Sequence, residues 1–525
     1  MRYEGASSAI IGIQFRSFDL IFFVGCFVFL YLHLFLVPNT PIFYEMDHVA
    51  LLNDAKRMYE GEIIYRDFFE FTFPGSHLLY YIFLNVFGTN YWIANLLILV
   101  HGMAAVILCV AICRRIIGDN FYAYLPAALY VFFGFRWFGI DGEHRMFSPI
   151  LAYVAVFFLI SKTTYVRLAV AGIACALSSL FTQQRGVLAI GAIGVFLFIK
   201  IALKEKDWPR FMKSGLVLAF TFAASLLLML LPFIITAGPD RFYESTFLFL
   251  SNYVEDPSTN SFATYLGTLA KIRSFGLLMT VVAVFYYILI PLIYVITLVF
   301  IWTKRKNPLV RHKDGVLLVC LLGMFFAIGT FAPNAVRIFQ ISLPALILLG
   351  WLIAQINFKS DLPAKAAVLI LITFGLTMSL RLQTGWDVHK LSTPSGELAF
   401  LSPVVFERYL WLSEHAGSED LVYETYNSHV NFPLHLRNPS RISIILNTAY
   451  TPRSQVDQAI ADLKTTKARY IIWDGSWTEE IGLLSDEQKL KPFYLFLTSN
   501  YHLRQKFTPY DARQREIWEI IDNRP

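Results

Sequence analysis

Long apolar runs separated by short charged turns make up most of the first 384 residues of this 525-residue chain. A helix needs roughly 17–25 mostly apolar residues to cross the hydrocarbon core of a bilayer. The runs predict a polytopic α-helical membrane protein with about eleven spans, several of them short enough to need tilting or cover from neighbouring helices. The predicted spans are residues 18–37, 91–113, 120–139, 146–161, 166–183, 187–203, 212–236, 276–302, 315–332, 337–356 and 364–381.

The composition supports the bilayer as the main solvent. The chain is 56% hydrophobic and 16% charged, whereas soluble domains are about 45–50% apolar and about 25% charged. The net charge of +6 comes from lysines and arginines in short turns, which is typical of residues that orient spans. Membrane lipids are therefore expected partners, and nucleic acid is not.

The orientation of the spans follows from the excess of Lys and Arg in cytoplasmic turns. With the N-terminus in the cytoplasm, the cytoplasmic turns include the basic stretches 204–213 and 304–313, whereas the opposite face carries mostly single arginines. An odd number of spans places the residues after the last one outside, and one missed or extra span would place them in the cytosol. We predict a multi-pass protein of the inner or plasma membrane with an extracytoplasmic C-terminal domain.

Two of the predicted outer segments are long, residues 38–90 and 237–273. In the first, apolar residues recur at helical spacing between Asp47 and Glu60, and Gly61 is placed to end that helix. Residues 77–87 are apolar but too short to span, so we expect them to lie in the interface or to re-enter the membrane.

The last 140 or so residues have a different pattern. Residues 422–426 and 470–473 are typical of strands, and residues 456–465 between them have the spacing of an amphipathic helix. We predict a transmembrane domain over residues 1–384 and a small soluble α/β domain over residues 385–525.

Ionisable residues close to a bilayer are costly, so their placement is informative. Asp47 and His48 lie shortly after the first predicted span, which ends at residue 37. The simplest interpretation of Asp47 is a helix N-cap. The alternative is a general base or a metal ligand, because a carboxylate at a membrane boundary can have its pKa raised toward neutrality.

Arg66 and Asp67 lie in the aromatic-rich segment 65–75. The aromatic residues suit the interfacial belt of a membrane protein. The planar guanidinium of Arg66 is alternatively suited to clamping a phosphate.

A third group, in the outer turn after the third span, contains Asp141, Glu143, His144 and Arg145. These side chains could hold a divalent metal, orient an acceptor or simply solvate the turn, since they meet no fixed metal-ligand spacing. Metal dependence stays open, with His48 and His144 as conceivable ligands.

Arg185 and Arg337 lie on the face that is poor in positive charge. A single arginine there can extend toward lipid headgroups. Several together suggest a site for an anionic lipid phosphate. The chain has no Walker loop, GxSxG elbow or HExxH motif, so it has no evident way to use ATP or a nucleotide sugar directly.

The layout resembles the integral-membrane glycosyltransferases of the GT-C fold, specifically the polyprenyl-phosphate-sugar group that includes protein O-mannosyltransferases and lipid A aminoarabinose transferases. The resemblance depends on an acidic residue after the first span, a helix, a Gly-x-x-x-Tyr-x-Asp motif and a Pro-Gly pair. In this sequence these residues are Asp47, Gly61, Tyr65, Asp67, Pro74 and Gly75. Arg337 and Pro344 are similar to the late arginine–proline pattern of the same group.

The resemblance implies an inverting transfer of a hexose or pentose from a polyprenyl-phosphate donor to a lipid, glycan or protein acceptor on the outer face. It implies that Asp47 acts as base or helps to bind the acceptor. Where the group often has Asp-Glu, this chain has Asp47-His48, which leaves Asp141 and Glu143 as candidates for a second acid. The candidate donor-binding residues are Arg66, Asp67, Arg145, Arg185 and Arg337.

A transporter or lipid flippase without transferase activity is the alternative function. Such proteins tend to have repeated halves, broken helices at the midplane and charges within spans. The sequence has no clear internal repeat, and its charges concentrate on one face. A scaffold whose soluble domain binds a partner is a third possibility, but it would not need the acidic and basic clusters.

Overall fold

The computed structural model describes residues 17–254, 267, 277–304, 313–330, 334–356, 360–385, 387–447, 451–486, 488–508 and 514–521. Two expectations therefore fall partly outside the described residues. These are the second long outer segment beyond residue 254 and the basic turn at residues 305–312.

Apolar helices occupy the predicted spans. Six of the described helices are long and apolar enough to cross a membrane, and three more are apolar but shorter. The chain is thus a mostly helical, multi-pass membrane protein. The helices of this part are Ser17–Leu34, Trp92–Ile116, His144–Ser161, Tyr165–Phe181, Gln183–Leu197, Phe198–Lys204, Trp208–Ala237, Leu277–Val284, Phe285–Leu289, Ile290–Thr303, Lys313–Ile328, Ala335–Gln340, Leu343–Ala354 and Leu362–Thr384.

Two predicted spans are less regular than expected. The segment predicted at 120–139 consists of four short consecutive helical pieces, Phe121–Ala123, Leu125–Ala128, Leu129–Phe135 and Arg136–Phe138. The segment predicted at 337–356 is broken into two helices around residues 341–342. Pro344 lies in the first turn of the second helix, where proline starts a helix readily but cannot continue one from before it.

The first outer segment contains the helix that the sequence predicts from Asp47 and a second helix over the apolar stretch at residues 77–87. They are Asp47–Tyr59 and Gly75–Phe87. Gly61 follows the first with a φ of +99°, a conformation that favours glycine. The described part of the second outer segment forms the helices Pro239–Tyr243, Glu244–Leu248 and Phe249–Val254.

A four-stranded sheet joins the two ends of the membrane-spanning part. Its strands are β1 (Phe35–Leu36), β2 (Thr40–Phe43), β3 (His389–Thr393) and β4 (Gly396–Phe400), in the order β1-β2-β4-β3. Strand β2 pairs in parallel with β4, and β3 pairs antiparallel with β4. The segment after the first long helix and the segment after the last one therefore lie on the same side of the membrane.

A second four-stranded sheet contains β5 (Val422–Glu424), β6 (Tyr470–Asp474), β7 (Tyr501–Phe507) and β8 (Arg515–Ile520), in the order β5-β6-β8-β7. Strands β5 and β6 lie where the sequence predicts strands, and the predicted helix between them is Arg453–Thr466. The other helices after residue 387 are Pro403–His415, Gly475–Trp477, Thr478–Gly482 and Lys491–Asn500. Strands β1 and β2 lie before the domain boundary predicted at residue 384, and β3 and β4 lie after it. All four nevertheless belong to the first sheet.

Candidate active site

Three carboxylates predicted as catalytic lie together on the side of the membrane that carries the two sheets. One oxygen from each of Asp47, Asp141 and Glu143 lies within 4.8 Å of the others. Asp47 is the first residue of the helix Asp47–Tyr59, where the positive end of the helix dipole favours a negative charge. Asp141 and Glu143 lie in the turn before the helix His144–Ser161.

Asp141 is fixed by His48. The His48 amide nitrogen donates a hydrogen bond of 3.0 Å to Asp141 Oδ1, and His48 Nδ1 lies 3.2 Å from the same oxygen. His48 Nε2 lies 3.1 Å from Tyr91 Oη. Burial lowers the pKa of His48 to about 3, so the ring is neutral. A neutral ring donates from one nitrogen and accepts at the other, which fits a bond from Nδ1 to Asp141 and one from Tyr91 to Nε2.

The turn that carries these acids is tightly packed. The Tyr80 hydroxyl donates to the Gly142 carbonyl at 2.9 Å. A Cβ atom at Gly142 would lie 2.5 Å from Tyr80 Oη and 2.9 Å from Ile98 Cγ1. Glycine at this position therefore lets the turn approach the neighbouring helices closely enough to align Asp141 and Glu143.

Glu143 is buried and held from two sides. Gln340 Nε2 donates a hydrogen bond of 2.6 Å to its Oε1, and Arg145 contacts its Oε2. Arg145 Nη1 also lies 3.9 Å from Asp47 Oδ2. One guanidinium thus lies between two of the three acids.

The surroundings favour protonation of the acids. Burial and the Glu143 carboxylate raise the pKa of Asp141 to about 7. Partial desolvation at the cavity and the Asp141 charge raise the pKa of Asp47, although its side chain is 60% exposed. Burial raises the pKa of Glu143 despite the contact with Arg145. Acids with raised pKa values close to one another are a common arrangement for proton transfer near neutral pH.

Asp47 and Glu143 line the first of two adjoining cavities, whereas Asp141 lines neither of them and lies beside these two acids. We call the first the acidic cavity. It has a volume of about 330 Å³, and its lining includes four carboxylates, those of Asp47, Asp54, Glu70 and Glu143. We call the second the cationic cavity. It has a volume of about 350 Å³, and its charged lining residues are Arg145, Arg185 and Arg337. Both cavities are lined by Phe71, Thr72, His144, Arg145 and Arg337.

Arg185 is suited to hold an anion. It is 2% exposed, and its Nη1 donates to the Phe326 carbonyl and to Thr330 Oγ1, both at 3.3 Å. Its Nε has no hydrogen-bond partner, and no carboxylate among the described residues lies within ion-pair distance of its guanidinium. A buried cation with only neutral partners gains from an anionic ligand.

A second cluster of ionisable residues borders the acidic cavity. His77 Nε2 lies 3.3 Å from Glu70 Oε2 and 3.7 Å from Asp54 Oδ2. Burial disfavours the charged imidazole, but the two carboxylates outweigh that effect and raise the pKa of His77 to about 9. Sequence reasoning missed this cluster. Asp47 and Asp54 are seven residues apart, which places them on one face of a helix, and this spacing was the available signal.

Glu45 connects the start of the Asp47 helix to the C-terminal region. Its Oε1 contacts the guanidinium of Arg408 and lies 3.4 Å from His429 Nδ1. Burial disfavours the charge on Glu45, but Arg408 and His429 outweigh that effect and hold its pKa below the usual range. Sequence reasoning missed this contact too, because its partners are far apart in the chain.

Arg66 and Asp67 line neither cavity, unlike the other predicted donor-binding residues. They pair with each other at 2.8 Å, and half of the Arg66 side chain is exposed. Asp67 Oδ2 accepts the Ile63 amide at 2.8 Å, and Tyr65 Oη donates to the Thr72 carbonyl at 2.8 Å. The Tyr-x-Asp motif therefore shapes the turn that brings Glu70, Phe71 and Thr72 to the cavities.

Three groups of described residues could hold a metal ion by their spacing. They are Asp47, Asp141 and Glu143; Asp54, Glu70 and His77; and Glu45, Glu424 and His429. Neither His48 nor His144 belongs to these groups. His48 contacts Asp141 and Tyr91, and His144 Nδ1 lies 3.0 Å from Thr182 Oγ1.

Known structures share the fold of this chain. Crystal structures of ArnT from Cupriavidus metallidurans, bound to undecaprenyl phosphate and in the apo state, match it at 11% identity with TM-scores of 0.58 and 0.57. They cover 96% and 95% of this chain and 98% and 97% of theirs. The oligosaccharyltransferase AglB from Archaeoglobus fulgidus, in complex with an inhibitory peptide and a dolichol-phosphate, matches at 10% identity with a TM-score of 0.50, over 97% of this chain and 75% of its own.

No family model and no curated protein matches the sequence. The structural similarity covers nearly the whole chain, and the chain therefore has the GT-C fold of the polyprenyl-phosphate-sugar glycosyltransferases. The fold suspected from the short motif around Asp47 is confirmed.

Proposed function

We propose that this chain is a membrane glycosyltransferase that moves a sugar from a polyprenyl-phosphate donor to an envelope acceptor. The observation that carries the proposal is the contact between an acidic and a cationic cavity, with Asp47 in one and Arg185 in the other. A transfer of this kind needs a base near the acceptor and cations near the leaving phosphate. The ArnT structure bound to undecaprenyl phosphate supports this kind of donor.

In the proposed reaction Asp47 takes the proton of the acceptor hydroxyl. The hydroxyl oxygen then attacks the anomeric carbon of the donor sugar from the side of the acidic cavity. The bond from that carbon to the phosphate oxygen breaks, and its electron pair leaves with the polyprenyl phosphate. Attack from the side opposite the leaving group inverts the configuration at the anomeric carbon.

The arginines of the cationic cavity stabilise the leaving group. Charge grows on the phosphate as the bond breaks, and donors already fixed around it need no rearrangement at that moment. Arg185 is held by Phe326 and Thr330, and Arg145 reaches from this cavity to Glu143 and Asp47. Arg145 thus couples the base to the leaving group.

We place the reaction on the outer face of the inner or plasma membrane. The turns on the other face of the membrane carry the excess of Lys and Arg that is typical of the cytoplasmic face, which supports an outer location for Asp47. Strand β2, shortly before Asp47, pairs in parallel with β4, which follows the last long helix. This pairing supports placing residues 385–525 on the same side of the membrane as Asp47. A divalent cation, if the reaction uses one, would be held by Asp47, Asp141 and Glu143.

The test is release of polyprenyl phosphate. The purified full-length chain is incubated with a panel of polyprenyl-phosphate-linked hexoses and pentoses and an extract of envelope glycans. We expect release from at least one donor, and loss of that release in Asp47→Asn. Movement of the lipid across vesicles without any release would favour the flippase alternative.

A further inference from the structure

The C-terminal region supplies one wall of the acidic cavity. Tyr426, Asn427, Ile444 and Leu446 line it together with residues of the helix that begins at Asp47. These four residues follow strand β5, which ends at Glu424. Everything else that lines the cavity comes from the membrane-spanning part or its outer segments.

The loop that carries Asn427 is firmly held through its backbone. Glu424 Oε2 accepts the amides of His429 and Val430 at 2.8 and 3.3 Å. The Ser428 hydroxyl donates to the Ser443 carbonyl at 3.2 Å. A loop fixed in this way presents its side chains in a set position without a bound ligand.

The side chain of Asn427 is not used by these contacts. It is 5% exposed, and its Oδ1 accepts no hydrogen bond from any described residue. A buried amide oxygen without a partner is costly unless a ligand supplies one. Asn427 borders the acidic cavity, so such a ligand would bind there.

We propose that Tyr426 and Asn427 bind a hydroxyl-rich sugar unit of the acceptor, so that the C-terminal region selects a glycan as acceptor. This inference rests on the proposed function. An amide can pair with neighbouring hydroxyl groups, the carboxylates of the same cavity can accept further hydroxyl protons, and Ile444 and Leu446 offer apolar contact. A few placed polar groups among apolar ones is the usual composition of a pocket for a small ligand.

The charge of the cavity argues against an anionic acceptor. Its carboxylates outnumber its guanidinium groups, which are those of Arg145 and Arg337. Asp47 must be ionised to act as base, so a phosphorylated acceptor would be repelled where it approaches that carboxylate. None of the lining residues belongs to a described strand, so a peptide could not bind by adding to a sheet edge.

The experiment compares three acceptors with the full-length chain and a donor that it cleaves. The acceptors are methyl disaccharide glycosides, a Ser/Thr-rich peptide and a phosphorylated glycolipid. We expect transfer to a disaccharide. In Asn427→Ala the KM for that disaccharide should rise about tenfold, because a change of this size corresponds to the loss of one or two hydrogen bonds. The KM for the donor should stay unchanged.

Asn431→Ala is the matched control. Asn431 is a buried asparagine of the same loop, its Nδ2 donates to the Val422 carbonyl at 3.0 Å, and it lines neither cavity. An equal rise in the disaccharide KM in this variant would mean that the loop only needs to stay folded, and would overturn the proposal. Asn427→Leu, which keeps a similar volume but loses both the amide oxygen and the N–H donors, replaces Asn427→Ala if that variant does not fold.

Transfer to the peptide or the phosphorylated glycolipid alone would overturn the glycan proposal and leave the proposed function intact. An unchanged disaccharide KM in both Asn427 variants would do the same. If no donor in the panel releases polyprenyl phosphate, the proposed function itself fails, and the acceptor proposal fails with it.

Discussion

The backbone amide of His48 donates a 3.0 Å hydrogen bond to the carboxylate of Asp141, 93 residues further along the chain. This bond joins the start of the helix that carries Asp47 to the turn that carries Glu143. The Asp141 carboxylate therefore holds the two segments together, and an asparagine there would still offer an amide oxygen to the His48 N–H. Exchanging one of the acids for its amide should therefore change chemistry more than structure.

Asp47→Asn should lower the rate of sugar transfer by about a hundredfold or more, since general base catalysis commonly contributes at least that much. The protein should still insert and keep its thermal stability. The rate is measured with a polyprenyl-phosphate sugar in detergent. Asp457→Asn is the control, because Asp457 is an exposed carboxylate that pairs with Arg453 and lies outside both cavities, and it should remain close to wild type. Full activity of Asp47→Asn would remove Asp47 from the mechanism.

Arg185→Met should raise the KM for the lipid donor at least tenfold, because a charge-assisted contact to phosphate is worth about 1.5–3 kcal/mol. Arg337→Ala should likewise weaken donor use more than acceptor use. Arg241→Met removes an exposed arginine that pairs with Glu244 and should leave the donor KM unchanged. A donor KM that does not move in Arg185→Met would contradict a phosphate site in the cationic cavity.

Asp141→Asn should move the acid limb of the pH–rate profile to lower pH. Asp47 must be ionised to act as base, and the Asp141 charge raises the pKa of Asp47. Without that charge, Asp47 loses its proton at a lower pH. The measurement is kcat/KM from pH 5 to 9, and a limb that moves upward would count against Asp47 as the base.

His77 should make the protein less stable at alkaline pH. Its pKa is raised from 6.5 to about 9 in the folded chain. Its contribution to the free energy of unfolding is therefore complete below about pH 6.5 and is lost as the pH rises through about 9. The Tm of wild type should fall more steeply over that interval than the Tm of His77→Gln, and parallel slopes would show that His77 is not charged.

Glu45→Gln should destabilise the protein by about 3 kcal/mol, because it leaves the buried guanidinium of Arg408 without its carboxylate. The double variant Glu45→Gln/Arg408→Met removes both charges and should recover much of that loss. Thermal unfolding of the two variants measures the difference. If the double variant is no more stable than the single one, the contact is not a coupled ion pair.

Local patterns in the sequence predicted local structure well. The helix from Asp47, its end at Gly61 and the strands β5 and β6 follow from periodicity and turn residues within a few positions. Of the eight acids and arginines proposed from the outer turns as catalytic or substrate-binding residues, five line a cavity, namely Asp47, Glu143, Arg145, Arg185 and Arg337.

Contacts between distant parts of the chain were not predictable in this way. No local sequence pattern around Glu45 or Arg408 predicts that the two side chains meet, and only the fold brings them together. Asn427 has no pattern around it that marks a ligand site. Arg66 and Asp67 carry the right chemistry in the motif, but their side chains pair with each other and shape a turn.

The sheet that joins the two ends of the membrane part also sets an order of assembly. Thr40 donates to Glu397, 357 residues later, at 2.8 Å, beside the paired strands β2 and β4. During synthesis, β2 emerges early and can pair with β1, but its other edge has no β4 to pair with until the last long helix has been made. The helix of Asp47 therefore reaches its final position only after β4 has been made, and the candidate active site would form late in the assembly of the molecule.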